Sequence, residues 1–189
     1  MYLTETEASL VAAIAERIFP TGPDGPGASE VHVLEYIDRQ LSGEWGAGAG
    51  KYQQGPFKRP GHAGHGWQSS FTPAEAYRYG LATLAEHTKQ HYGAHFSSLT
   101  PADQDDVLRD LSADRIEQYT VLAGSDFFAL LRQNVIEGLF SDPMYGGNHE
   151  MLGWRWIGYP GVASLHGDDY QNHIDKFGEP YIAEPQALP

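Results

Sequence analysis

The chain has 189 residues, 41% of them hydrophobic, and its 12 Lys and Arg against 25 Asp and Glu give a formal net charge of −13. That length suits a single domain with a real core, whereas so acidic a surface repels nucleic-acid backbones and anionic bilayers. A mean hydropathy of −0.44 with no apolar run of about 18 residues argues against a membrane span, and the absence of Cys removes disulfides, thiolate nucleophiles and thiolate-bound metals.

The N-terminal Met1-Tyr2-Leu3-Thr4-Glu5 stretch has neither the basic segment nor the apolar run of an export signal. Thr4-Glu5-Thr6-Glu7 reads as a capping box, after which Leu10, Val11, Ile14 and Ile18 recur at helical spacing until Pro20. Residues 21–27, rich in Gly and Pro, form a connector. A second helix is predicted from near Ser29 to Leu41, burying Val33, Leu34, Ile37 and Leu41. From Gly43 to Gly66 eight of 24 residues are Gly, and Leu, Ile and Val are absent. This inserted loop, extending to about residue 71, cannot build a core of its own; loops of such length are functional or disordered more often than inert.

Regularity returns at Thr72-Pro73-Ala74-Glu75, a capping box with Pro at the first helical position. Tyr77, Leu81, Leu84 and Thr88 then mark one face of a helix reaching to about Tyr92. Thr100-Pro101-Ala102-Asp103 opens another, with Val107, Leu108 and Leu111 inward; a short helix over Ile116–Leu122 has only a weak pattern. The strongest stripe lies between Asp126 and Ser141, where Phe127, Phe128, Leu131, Val135, Ile136, Leu139 and Phe140 face Arg132, Gln133 and Glu137 across the helix. Residues 142–189 show neither helical nor strand period and carry seven Gly, five Pro and seven aromatics. The expected fold is therefore a single all-α domain: a bundle of about five helices over residues 4–141, the long Gly-rich inserted loop, and an irregular, aromatic-rich C-terminal tail over 142–189.

Catalytic signatures are scarce. His87, His91 and His95 stand at i, i+4 and i+8, so His87 and His91 are candidate metal ligands, although Gly93 is expected to fray the helix before His95. No Glu has a His three places on, which argues against a di-iron bundle. Gly50-Lys51 resembles a phosphate loop only superficially, because Trp45 stands where Gly is needed and Tyr52 where Ser or Thr is needed. His62 and His65 in the same loop read as surface residues. Gly-x-Ser-x-Gly is absent, and Asp168-Asp169 or the adjacent His149-Glu150 pair give no more than a chance coincidence of acid and base. No residue is assigned a catalytic or cofactor-binding role.

What stands out is Asp142-Pro143-Met144-Tyr145-Gly146-Gly147-Asn148, then Gly153-Trp154-Arg155-Trp156-Ile157-Gly158-Tyr159-Pro160-Gly161. Asp-Pro ends the core helix, and the flat Trp, Tyr and Arg side chains, expected on a stiff non-helical backbone, are those that dominate binding hot spots. Two roles remain open for them: docking a partner, or capping the chain's own helices, with Trp154 inward and Arg155 outward as a mixture of both. This block, with the Ile-Phe-Pro helix end, Tyr36-Ile37-Asp38-Arg39-Gln40-Leu41 and Phe127-Phe128, resembles the gluconate 2-dehydrogenase subunit 3 family over residues 3–161.

The resemblance implies a non-catalytic small subunit with no cofactor of its own, bound to a large FAD-containing subunit of the glucose-methanol-choline type. Some complexes of this kind add a cytochrome c subunit, and many are exported to the periplasm by a twin-arginine signal on the small subunit. That signal is not seen here, so a cytoplasmic complex, or an address carried by another subunit, stays open beside the periplasmic reading. The long loop and tail fit the glucoside 3-dehydrogenase-like branch. Tyr145, Trp154, Arg155, Trp156 and Tyr159 are then the expected interface, with Gly146 and Gly147 shaping the turn. Both irregular blocks are expected to become ordered only against the partner. The competing readings are an independent metal-dependent enzyme built on His87 and His91, and a folded export escort.

Overall fold

In a computed structural model describing residues 1–57 and 68–159, six α-helices follow one another: α1 (Glu5–Ile18), α2 (Val33–Ser42), α3 (Pro73–Tyr92), α4 (Pro101–Ser112), α5 (Gly124–Phe140) and α6 (Leu152–Ile157). Single 3-10 turns lie at Phe96–Ser98, Pro143–Tyr145 and His149–Met151. The described residues contain no strand beyond one isolated Gly22–Gly25 bridge, and none of their helices is long and apolar enough to cross a membrane. The fold is all-α, as the periodicity predicts.

Local chemistry sets where these helices begin. The Thr4 hydroxyl accepts the Glu7 amide while Glu7 accepts the Thr4 amide at 2.8 Å, and Thr72 and Glu75 repeat the exchange on α3. Thr100 caps α4 through the Asp103 amide. Each box satisfies amides that would otherwise be orphaned in the first turn.

α5 is the axis of the bundle and touches α1, α2, α3, α4 and α6. Its Phe127, Leu131, Val135 and Leu139 are buried against Ile14, Ile37, Tyr77, Leu81 and Leu111. The crossing with α3 is close because Gly80 lies under the Phe127 ring, where a Cβ would come within 2.6 Å of three ring atoms.

The core is not wholly apolar. The Tyr77 hydroxyl donates to Asn134 Oδ1 at 2.8 Å, Asn134 Nδ2 donates to Glu137 Oε2 at 3.0 Å, and the Tyr36 hydroxyl donates to the same oxygen at 3.3 Å. Burial, reinforced by the charge of Glu137 and the hydrogen bond to it, pushes the Tyr36 phenol well above its ordinary value. Glu137 is therefore a half-buried acceptor tying α2 and α5, not simply part of the polar face that the stripe assigns to it.

Other expectations are corrected. α2 begins at Val33 rather than near Ser29, because His32 adopts a left-handed conformation (φ 59°) that interrupts any helix there. Ala28 and Val31 are still buried, so the turn before His32 supplies core contacts without being helical. Tyr36, not Leu34, takes the buried place on α2. Residues 116–122 are turns whose two ends, Ile116 and Leu122, plug into the core. Ile136 on α5 is exposed.

Candidate functional site

The block after α5 departs most from expectation. Residues 142–159 are laid on the C-terminal end of α5 by the chain's own bonds, and Leu152–Ile157 is helical rather than irregular. Asp142 accepts the Met144 amide at 3.0 Å and starts the first turn, and Gly146 (φ 101°) ends it. The chain then passes directly over α5. A Cβ on Gly147 would stand 2.3 Å from the Gly138 carbonyl oxygen, and one on Gly153 2.0 Å from that of Leu139, so only backbone without side chains fits this seam.

Asn148 locks the seam. It is fully buried in the left-handed region (φ 47°), which Asn tolerates better than most residues. Its amide donates to the Gly138 carbonyl at 2.8 Å and its Nδ2 to the Ser141 carbonyl at 2.9 Å. Its Oδ1 accepts the Gly153 amide at 2.8 Å and the Trp154 amide at 3.4 Å, which caps the first turn of α6. Glu150 (φ 52°) and Met151 (φ 58°) are also left-handed, so three of four successive residues hold a costly backbone.

These anchors sort the expected interface residues into two groups. Trp154 is buried and its indole N–H donates to the Phe140 carbonyl at 2.8 Å, capping α5; it belongs to the chain's own packing. Trp156 straddles both: its indole bonds the Asp24 carbonyl and its ring meets Phe19 edge-on at 5.5 Å, yet it stays partly open. Tyr145, Trp156, Ile157 and Tyr159 are between 43% and 54% exposed, and Arg155 and Met144 are exposed with them. Tyr159 is held edge-on to Trp154 at 5.1 Å. Gly146 sits over the Arg39 side chain, and Arg39 Nη1 donates to the Met144 carbonyl at 3.4 Å. Pro160, Gly161, the rest of the tail with Asp168 and Asp169, and the loop residues His62 and His65 lie outside the described residues.

Sequence reasoning did not single out Asn148, Met144 or Ile157. Asn148 has a visible signal in hindsight: Gly-Gly-Asn followed five residues later by Gly-Trp places a left-handed-tolerant acceptor just before a helix. His149, paired with Glu150 in the sequence, is instead stacked on His32 with ring centroids 4.0 Å apart and planes 6° from parallel. Its Nε2 is 3.8 Å from the Glu150 carboxylate, on exposed side chains. His87 and His91 do share a face of α3, whereas α3 ends at Tyr92 with Gly93 left-handed, so His95 leaves that face as the glycine predicts. Among the described residues no group of three or more His, Asp or Glu is arranged to hold a metal ion.

Neither the curated proteins nor the solved structures give a match to this chain. The family described as gluconate 2-dehydrogenase subunit 3 matches residues 5–161, which takes in every helix from α1 to α6 and the whole anchored block. With most of its length matched, the chain belongs to the gluconate 2-dehydrogenase subunit 3 family.

Proposed function

We propose that the chain is the non-catalytic small subunit of an FAD-dependent sugar or glycoside dehydrogenase complex. In this reading it holds a large glucose-methanol-choline-type flavoprotein, which carries the FAD and takes the hydride from the sugar carbinol. Family membership supports a role as one subunit among several. The observation that carries the docking assignment is the contrast within residues 142–159: a backbone fixed by Asn148 and Trp154 presents Tyr145, Arg155, Ile157 and Tyr159 to solvent. Rigid aromatic and Arg side chains give much contact area at small entropic cost, which is the profile of hot-spot residues. The site of action in this reading is the periplasm, the chain assisting export of the folded pair, and a glucoside 3-dehydrogenase-type activity fits the long loop at 43–66.

Co-expression with the neighbouring flavoprotein of the host tests it. A yellow complex with a flavin absorption spectrum is expected on purifying this chain, and Tyr145→Ala, Arg155→Ala and Tyr159→Ala should each weaken association about 30-fold or more at unchanged thermal stability. Fractionation of the host then reports the compartment. A chain that captures no flavoprotein, or a complex indifferent to all three substitutions, would overturn the assignment.

A further inference from the structure

On the α3 surface, away from residues 142–159, a chain of side-chain hydrogen bonds runs in one direction only. Glu86 Oε1 accepts from Gln90 Nε2 at 2.9 Å, Gln90 Oε1 accepts from Gln118 Nε2 at 3.2 Å, and Gln118 Oε1 faces His87 Nδ1 at 3.3 Å. A carboxylate can only accept, so each amide is oriented in turn and the proton of His87 is placed on Nδ1. His91 Nδ1 faces the His87 carbonyl oxygen at 3.2 Å, another group that can only accept, so His91 carries its proton on Nδ1 as well. The two rings stack with centroids 4.1 Å apart and planes 29° from parallel. Neither Nε2 has a protein partner among the described residues.

We infer that His87 and His91 form a two-nitrogen site for a borderline divalent transition ion such as Zn²⁺, Ni²⁺ or Cu²⁺, bound through Nε2 of both rings. The i, i+4 spacing puts two neutral imidazoles on one face, and nitrogen–metal bonds of about 2.0–2.1 Å let one ion reach nitrogens up to about 4 Å apart. The outer partners are those a metal-bound imidazole uses, an amide oxygen on one ring and a backbone carbonyl on the other. The surroundings favour a cation: His91 lies in the last turn of α3, at the negative end of its dipole, and Asp110 acts on His87. Water, or a residue from a neighbouring subunit, completes the coordination. Oxygen-seeking Mg²⁺ and Ca²⁺ are not accommodated by two imidazoles.

Long-range proton–nitrogen NMR of the full chain tests the arrangement, with Zn²⁺ as the probe. Before metal, His87 and His91 should both show Nε2 as the unprotonated nitrogen, and sub-stoichiometric Zn²⁺ should shift these two nitrogens first. Isothermal titration should show a site lost in His91→Gln, an exposed position whose change leaves the fold intact. Gln118→Ala, which leaves both ligands but frees the His87 proton, should weaken the site about 10- to 100-fold. A proton on Nε2 of either ring, Zn²⁺ shifting other histidines while these two stay put, or His91→Gln binding as the parent does would each overturn the inference.

Discussion

Replacing Asn148 by alanine probes the seam on which residues 142–159 are built. The substitution removes the Nδ2 donor from the Ser141 carbonyl and the Oδ1 acceptor from the Gly153 amide, the second of these fully buried. Leaving a buried backbone group unpaired costs about 1–3 kcal/mol, and the partly buried Ser141 carbonyl belongs at the lower end of that range. Holding Ala rather than Asn at φ 47° adds about 1 kcal/mol. The expected loss is about 3–5 kcal/mol, and at roughly 2–4 °C per kcal/mol for a chain of this size the melting temperature should fall by about 6–20 °C. Thermal unfolding of the full chain by circular dichroism measures it, and tryptophan fluorescence reports whether Trp154 and Trp156 loosen first. Asn148→Gly accepts the left-handed backbone at little cost, so the loss it retains is the hydrogen-bond share. An Asn148→Ala protein within about 1 kcal/mol of the parent would mean that the seam holds without its lock.

Gly80→Ala should cost about 1–3 kcal/mol by overpacking the Phe127 ring, read as a lower urea midpoint. Tyr77→Phe strips the donor from buried Asn134 Oδ1 and should cost about 1–3 kcal/mol by the same assay. Burial alone would raise the Glu16 carboxyl, but hydrogen bonds from the Thr21 and Ser29 amides outweigh it and hold it below its ordinary value of 4.5. A carboxyl depressed in the folded state contributes its full stability above its unfolded pKa and loses it as pH falls through the folded one. Stability should therefore drop below about pH 4.5, and less steeply in Glu16→Gln.

Helix starts were legible because capping is local: Thr4 with Glu7 and Thr72 with Glu75 need only four residues to declare themselves. The α5 stripe was legible because its inward residues repeat over several turns. What escaped depends on distant partners. α6 is six residues long, too short to be stable alone, and it exists because Asn148 and the Phe140 carbonyl hold its first turn and its indole. His32 closes α2 early through a backbone angle that no spacing rule reveals. Glu137 looks like any surface acid until Tyr36 and Asn134 arrive from elsewhere. At the histidine pair the shared face follows from spacing, but Gln118, which orients His87, comes from a turn 31 positions along the chain.

The expectation that 142–189 needs a partner to become ordered fails for its first eighteen residues on the same ground: their bonds end on this chain. Trp154, expected at the interface, is spent inward for that reason.

Where Gly147 and Gly153 cross α5, main chain rests on main chain, and nothing there can be re-tailored by swapping one side chain for another. Tyr145, Arg155 and Tyr159 project from the other side of that joint and bear no weight in it. Their identities can drift to fit a differently shaped companion while the mount beneath them stays as it is.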